Sequence, residues 1–426
     1  MTGPATRARA AAAPERLPVE EALGRVLRGV PVLAAEKVPL ARALGRVLRE
    51  PVVAPYVSPA WPNAAMDGYA VRADDVRGAS ATSPVVLPVA GTIAAGGTGP
   101  ARLAPGSAWR IMTGAPVPPG ADGVIRVEDT DGGTERVTIT DDRDAARNVR
   151  PRGEDFMQGD LLLAVGTVLR PAHVGLLAAC GRREVRVGPA PRVAILASGD
   201  ELVPLDRFDE VLAGRRIVST NSWTLAAAAQ SAGALPHDLG LVADDPDAMA
   251  ARLDEALVAG VDVLVTSGGI SVGAFDHTRD VLARLGATLD VRRVRMRPGG
   301  PFAFGTVRGV PWFGLPGNPV SALVTFEVFV RPALRAMMGD PDHMSRTFRA
   351  RLAEPVRTQA PLTHFLRASL LPPEGDDPHP RLALTGPQGS GLLTSMARAD
   401  ALVIVPHDVR ELAAGSVVDA LALGTA

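Results

Sequence analysis

The chain has 426 residues, 45 basic and 46 acidic side chains, a formal charge of -1 and one cysteine. That length predicts several domains rather than one core. The near-zero charge excludes a dedicated nucleic-acid surface, and the lone Cys180 excludes an intrachain disulfide framework or a multi-cysteine metal site.

In chain order, residues 1–16 (MTGPATRARAAAAPER) lack the apolar core of a signal peptide and are expected to form a disordered extension. No apolar run approaches the roughly 20 residues that cross a bilayer. A cytoplasmic protein without membrane or nucleic-acid partners is therefore expected. Segments 18–29 and 39–49 read as amphipathic helices and share the string ALGRVLR, at 22–28 and 43–49. With 161–188 they make a helical/β linker domain over 17–49 and 161–188, in which Cys180 (HVGLLAACG) should be a buried structural thiol. Short β-rich runs broken by Gly and Pro predict an N-terminal β-rich domain over 50–160. Strands and helices then alternate over 189–337, the rhythm of a largely parallel α/β sheet. Residues 346–424 return to short strands and turns, a small C-terminal β domain.

Within the α/β segment, strand 261–265 runs into Thr266–Gly273 (TSGGISVG). Ser267, Gly268, Gly269, Ser271 and Gly273 there allow N–H groups and hydroxyls to converge on an anion. The loop is no GxGxxG and has no Walker lysine, which excludes NAD-binding and P-loop readings. A second loop, GLPGNPVS, offers Gly317, Asn318 as a helix cap and Ser321. Asp276 lies just beyond the first loop, and a carboxylate beside a phosphate cradle calls for a cation, economically Mg²⁺. Glu201 in SGDEL and the pair Asp244–Asp245 lie at the same edge of the domain. Lys37 is the sole lysine, so every other fixed cation is an arginine, a planar clamp for phosphates and a poor proton donor near neutrality. If 291–297 is extended, Arg293, Arg295 and Arg297 share one face, with Arg292, Val294 and Met296 on the other. Like charges so placed favour an anionic ligand. Outside the α/β segment, Asp67 in MDGYAV, Thr113 in RIMTGAPVPPGAD and Asp155 in RPRGED are loop-borne polar residues. Arg367, Ser390 and Ser395 are their counterparts near the C-terminus, and Tyr69 is expected to fill the β core.

Taken in order, MDGYAV, RIMTGAPVPPGAD, RPRGED, SGDEL, TSGGISVG with Asp276, RPGGPFAFG, GLPGNPVSA and GSGLLTSMARADALV make this chain similar to the MoeA/gephyrin E-domain family, the molybdopterin molybdenumtransferases. The resemblance spans 17–424. It implies a multi-domain α/β and β fold: an elongated subunit with a MogA-like α/β sandwich domain, a β-rich N-terminal domain, a helical linker and a small C-terminal β domain. It also implies a homodimer whose cleft lies between the α/β domain of one subunit and the N-terminal β domain of the other. The implied activity is insertion of molybdate into adenylylated molybdopterin, with Mg²⁺-dependent hydrolysis and release of AMP. A MogA-like adenylyltransferase and recipient molybdoenzymes are the implied partners. By motif, Asp67, Thr113 and Asp155 face the pterin or molybdate, and Glu201, Asp244 (or Asp245) and Asp276 are the metal-associated carboxylates. Arg293, Arg297, Pro298, Arg367 and Ser395 join the glycine loops in holding the ligand. Two departures stand out: Gly300 replaces the lysine of the usual PGKP, with Arg295 a candidate substitute, and Ala64 replaces a serine. They keep open two other readings, a nucleotide pyrophosphatase or adenylyltransferase on a related pterin and a non-catalytic scaffold.

Overall fold

Alternating strands and helices between 192 and 325 build a six-stranded sheet. Its strands are β1 (Arg192–Ser198), β2 (Leu235–Val242), β3 (Val263–Ser267), β4 (Ala287–Val291), β5 (Ala303–Val307) and β6 (Val310–Leu315). The order across the sheet is β2-β1-β3-β6-β5-β4. The first four of that order are parallel, while β5 pairs antiparallel with both β6 and β4. The central strands β1, β3 and β6 are apolar and buried on both faces, which a parallel sheet covered by helices requires. The structure is a computed structural model describing residues 16–97, 102–268, 275–359, 361–373 and 377–424, without the side chains of 275–279.

The chain divides into two compact units, one of 1–50, 165–174 and 184–426, the other of 51–164 and 175–183. In the first, helix Val19–Gly29 buries Val19, Ala22 and Val26 in the α/β core, alongside Val193, Val263 and Phe313. C-terminal strands Thr347–Leu352, Thr363–Leu371, Arg381–Leu384, Ala401–Val405 and Val417–Ala422 form a sheet that closes through pairing of Thr363–Leu371 with Ala401–Val405. Closure removes the exposed edges that such short strands would otherwise present. Met296–Arg297 adds in parallel to Thr363–His364, tying the segment after β4 to this barrel.

The second unit holds a five-stranded sheet ordered Gly123–Arg126, Gly68–Val71, Ala108–Ile111, Val85–Ile93, Arg136–Ile139. Tyr69 and Val71 pack on one face and Ala70 on the other, so the period-2 pattern is buried on both sides. Tyr69 is fully buried, as its composition suggested, and its hydroxyl donates to the Gly133 carbonyl at 2.8 Å. Cys180 is only half-buried, not the enclosed thiol expected.

The second copy of ALGRVLR corrects the sequence reading. Residues 39–49 form no α-helix: a 3₁₀ turn covers Leu40–Arg42, and Val47 and Leu48 then make bridges to Val168 and Val187. Gly45 takes φ +76°, which ends any helical path there, and its neighbour Leu44 is exposed. The same residues at 22–28 stay within helix Val19–Gly29, and since Ala43 and Val47 are as buried as Ala22 and Val26, burial of these positions does not by itself separate the two copies. Two alanine substitutions separate these states. Gly24→Ala, whose new Cβ meets only the movable end of Arg28, is expected to stabilise by ~0.5 kcal/mol, and Gly45→Ala to destabilise by ~1 kcal/mol. Urea-unfolding midpoints shifted in the same direction by both would contradict this account.

Candidate functional site

The ends of β3 and β6 lie side by side, Ser267 opposite Leu315, so the glycine loops leave the sheet together. Gly268 has φ +94°, and a Cβ there would sit 2.3 Å from the Ser198 carbonyl oxygen, so only glycine fits. A Cβ on Gly317 would meet the Gly268 Cα at 3.5 Å; the loops touch through their backbones. Asn221, in helix Thr220–Ser231, donates from Nδ2 to the Ser267 hydroxyl at 2.6 Å and to the Gly317 carbonyl at 2.8 Å. Ser267 reaches on to the Pro316 carbonyl at 3.3 Å. Ser198, Asn221 and Ser267 are all buried, so this floor is polar and fixed.

A cavity of about 690 Å³ opens above this floor, large enough for a pterin or nucleotide. Ser267, Gly268, Gly317 and Asn318 line it, with Glu201 and Asp244. The adjacent aspartates separate cleanly. Asp245 caps helix Pro246–Val258, accepting from the N–H of Asp247 and Ala248, whereas Asp244 faces the cavity and donates its N–H to Asp200 at 3.1 Å. Gly269, Ser271 and Gly273 lie outside the described residues, as does the Asp276 side chain; the backbone at 276 belongs to helix Phe275–Arg284.

A second cavity, of about 330 Å³, adjoins it through Asn318, which lines both. Arg293, Arg297, Pro298 and Ser321 line this one, so the arginines and the glycine loops expected to hold one ligand together line two neighbouring compartments. Along 291–297, Val294 and Met296 are buried and Arg293, Arg295 and Arg297 point away from the core, but Arg292 is exposed rather than sharing the buried face. Arg295 does not reach the cavity, and Gly300 lines it without a side chain. Asn318 stands at the N-cap of Pro319–Thr325 but gives that helix no side-chain bond. Its Nδ2 instead donates to the Ser390 hydroxyl at 3.1 Å, and Ser390 also accepts from the Val320 N–H.

Arg367 and Ser395 line neither cavity. Arg367 is fully buried, and among the described residues no carboxylate pairs with it. Its guanidinium donates to the carbonyls of Pro387, Gln388 and Gly389 at 3.0–3.2 Å and to the Ser395 hydroxyl at 3.2 Å. Burial pushes its pKa below the usual value. The arginine thus shapes the loop whose Gln388, Gly389 and Ser390 wall the smaller cavity.

In the other unit Asp67 and Thr113 meet. The Asp67 carboxylate accepts from the Thr113 N–H at 2.6 Å and its hydroxyl at 2.7 Å, and these two bonds hold its pKa below the usual carboxylate range. Gly68 lets the strand carrying Asp67 lie against Ile125, whose carbonyl a Cβ would strike. Asp155 is exposed in the same unit. Asn221 and Arg16, which also lines the smaller cavity, escaped the sequence reading because neither stands in a glycine motif, and Gln388, within the glycine-rich run 386–391, was passed over for its neighbour Ser390.

Three family models match in order: the MoeA N-terminal region (domain I and II) over 17–181, a probable molybdopterin binding domain over 194–336, and the MoeA C-terminal region (domain IV) over 349–423. Molybdopterin molybdenumtransferase 2 of Mycobacterium tuberculosis is 41% identical over 374 residues, covering 86% of this chain and 89% of that protein. The chain belongs to the MoeA family. The molybdopterin molybdenumtransferase of Bacillus subtilis is 35% identical over 411 residues, 95% of this chain and 94% of its own length. The crystal structure of a molybdopterin biosynthesis MoeA protein from Pyrococcus horikoshii superposes with a TM-score of 0.78 at 28% identity, covering 96% of this chain and all of that one. The multi-domain α/β architecture with β-rich and helical regions is therefore that of MoeA proteins. Among the described residues no helix is long and apolar enough to cross a membrane.

Two outcomes follow from this geometry. Thr113→Val removes a donor that stabilises the Asp67 carboxylate, so the Asp67 pKa should rise toward the ordinary value, read by carboxyl-carbon NMR titration; an unchanged pKa would contradict the pairing. Arg367→Met strands three carbonyls and should cost ~2–3 kcal/mol of stability while speeding amide exchange over 388–390.

Proposed function

We propose that the protein is a molybdopterin molybdenumtransferase, which binds adenylylated molybdopterin, hydrolyses its adenylate and inserts molybdate to give molybdenum cofactor and AMP. The observation that carries this reading is the pair of adjoining compartments. One is glycine-floored and carries carboxylates, the other is lined by arginines and hydroxyls, and Asn318 belongs to both. The first suits a phosphorylated pterin. The second suits an oxyanion such as molybdate, because none of its lining residues is acidic.

Mg²⁺ fits the donor set. Glu201 and Asp244 face the larger cavity, and among the described residues no group of three metal-binding side chains forms a closed cage. Two carboxylates completed by substrate phosphate and water is how Mg²⁺ is usually held. Glu201 and Asp244, with Asp276 beyond the loop, would hold it, and it would neutralise charge on phosphate oxygens. The chain's own part is positioning. Asn221 locks Ser267 and the Gly317 carbonyl into one floor, the Gly268 and Gly317 backbones admit the phosphate closely, and the arginines hold the oxyanion for transfer. Water then forms the new P–O bond at the adenylate phosphorus as the anhydride P–O bond breaks. Asp67, Thr113 and Asp155 would meet the pterin and molybdate end from a second copy, an arrangement supported by the family resemblance, as are the homodimer, a MogA-like adenylyltransferase supplying the substrate, and molybdoenzymes receiving the product.

The test is AMP release from adenylylated molybdopterin with and without molybdate and Mg²⁺. Release that needs both is expected, falling about 100-fold or more in Glu201→Gln and in Asp244→Asn. Turnover of ATP in place of the adenylylated pterin would overturn the assignment. Light scattering should give a dimer; a monomer at micromolar concentration would refute that part.

A further inference from the structure

Arg16, just before the first helix, lines the smaller cavity. Leu17 forms a parallel bridge with Val294: its N–H donates to the Arg293 carbonyl at 3.0 Å, and its carbonyl accepts from the Arg295 N–H at 2.7 Å. The Leu17 side chain is buried in the core that holds Val294, Met296 and Phe302. The chain is thereby pinned along the arginine-bearing segment, and Arg16, one residue upstream, lines the cavity beside Arg293 and Arg297.

Three arginines thus line one cavity of about 330 Å³ whose lining contains no acidic residue. Among the described residues none of the three pairs with a carboxylate, and the neutral Gln359, bonded to Arg297 at 3.0 Å, leaves the charge unbalanced. Cations that converge without counter-ions are stable when an anion joins them. Gly300, in the same lining, contributes no charge, and a Cβ there would press on the carbonyl oxygens of Met296 at 3.2 Å and Val294 at 3.4 Å. The charge of the cavity is carried by Arg16, Arg293 and Arg297.

We propose that Arg16 is a substrate-binding residue of this cavity, supplying a third guanidinium to a tetrahedral dianion such as molybdate. The proposal rests on the reading of the smaller cavity given above. Arg16 is exposed and makes no bond that supports the fold, so its removal leaves the protein folded while weakening the anion's hold.

Calorimetric titration of molybdate into the full-length protein tests it, with steady-state AMP release as a second readout. Arg16→Gln is expected to weaken molybdate binding about tenfold and raise the molybdate KM by a similar factor with kcat unchanged. Arg16→Lys should recover most of the affinity. Arg292→Gln, which removes an exposed arginine outside the cavity, should change neither value. Wild-type affinity and KM in Arg16→Gln, or an equal loss in Arg292→Gln, would overturn the role of Arg16 and leave the transferase reading standing. A wild-type protein that neither binds molybdate nor responds to it would overturn both.

Discussion

The close approach of two backbones at the ends of β3 and β6 governs the rest of the site. Parallel pairing delivers Ser267 and Leu315 in register, the Gly268 N–H donates to the Leu315 carbonyl at 3.2 Å, and the chain can turn there because Gly268 carries no Cβ, which would lie 2.3 Å from the Ser198 carbonyl oxygen. From that contact the floor extends sideways through Asn221, whose amide bonds both loops at once. The location obeys the general tendency of open α/β sheets to bind ligands beyond the carboxyl ends of their strands.

The smaller cavity depends on pieces remote in sequence. Its arginines come from the segment after β4, its hydroxyls from Ser321 and from Ser390 of the barrel, and a further wall from the stretch before the first helix. Arg367 shapes one of these walls, residues 387–389, without lining the cavity. A buried cation satisfied by backbone carbonyls is costly to assemble but specifies one loop shape, since each carbonyl must be presented to a planar fork. Arginine suits this structural task and anion capture for the same reason, its fixed array of donors.

Much of this was legible in the residues. Strand–glycine–helix transitions marked both loops, the alternation in 291–297 put three arginines away from the core, and Asp67 and Thr113 were singled out before their bond was known. Long-range partnerships were not legible. Nothing local says that Asn318 turns from its helix toward Ser390, that Arg367 is enclosed, or that Arg16 is carried into the cavity by a strand bridge. The split into two compartments likewise follows from tertiary packing, because Gly317 and Ser321 are four residues apart on one loop and helix yet face different cavities. Asp244 and Asp245 were indistinguishable by motif and became distinct once one of them capped a helix.

The repeated ALGRVLR shows how little seven residues determine. One copy is helical and the other is an irregular bridge, although composition, order and propensity are the same. The information that chooses between them lies in the surroundings: a helix that already begins at Val19 for the first copy, and bridge partners for Val47 and Leu48 in the second. A peptide of this sequence excised from either place would lose that distinction, and in solution both copies would sample the same ensemble.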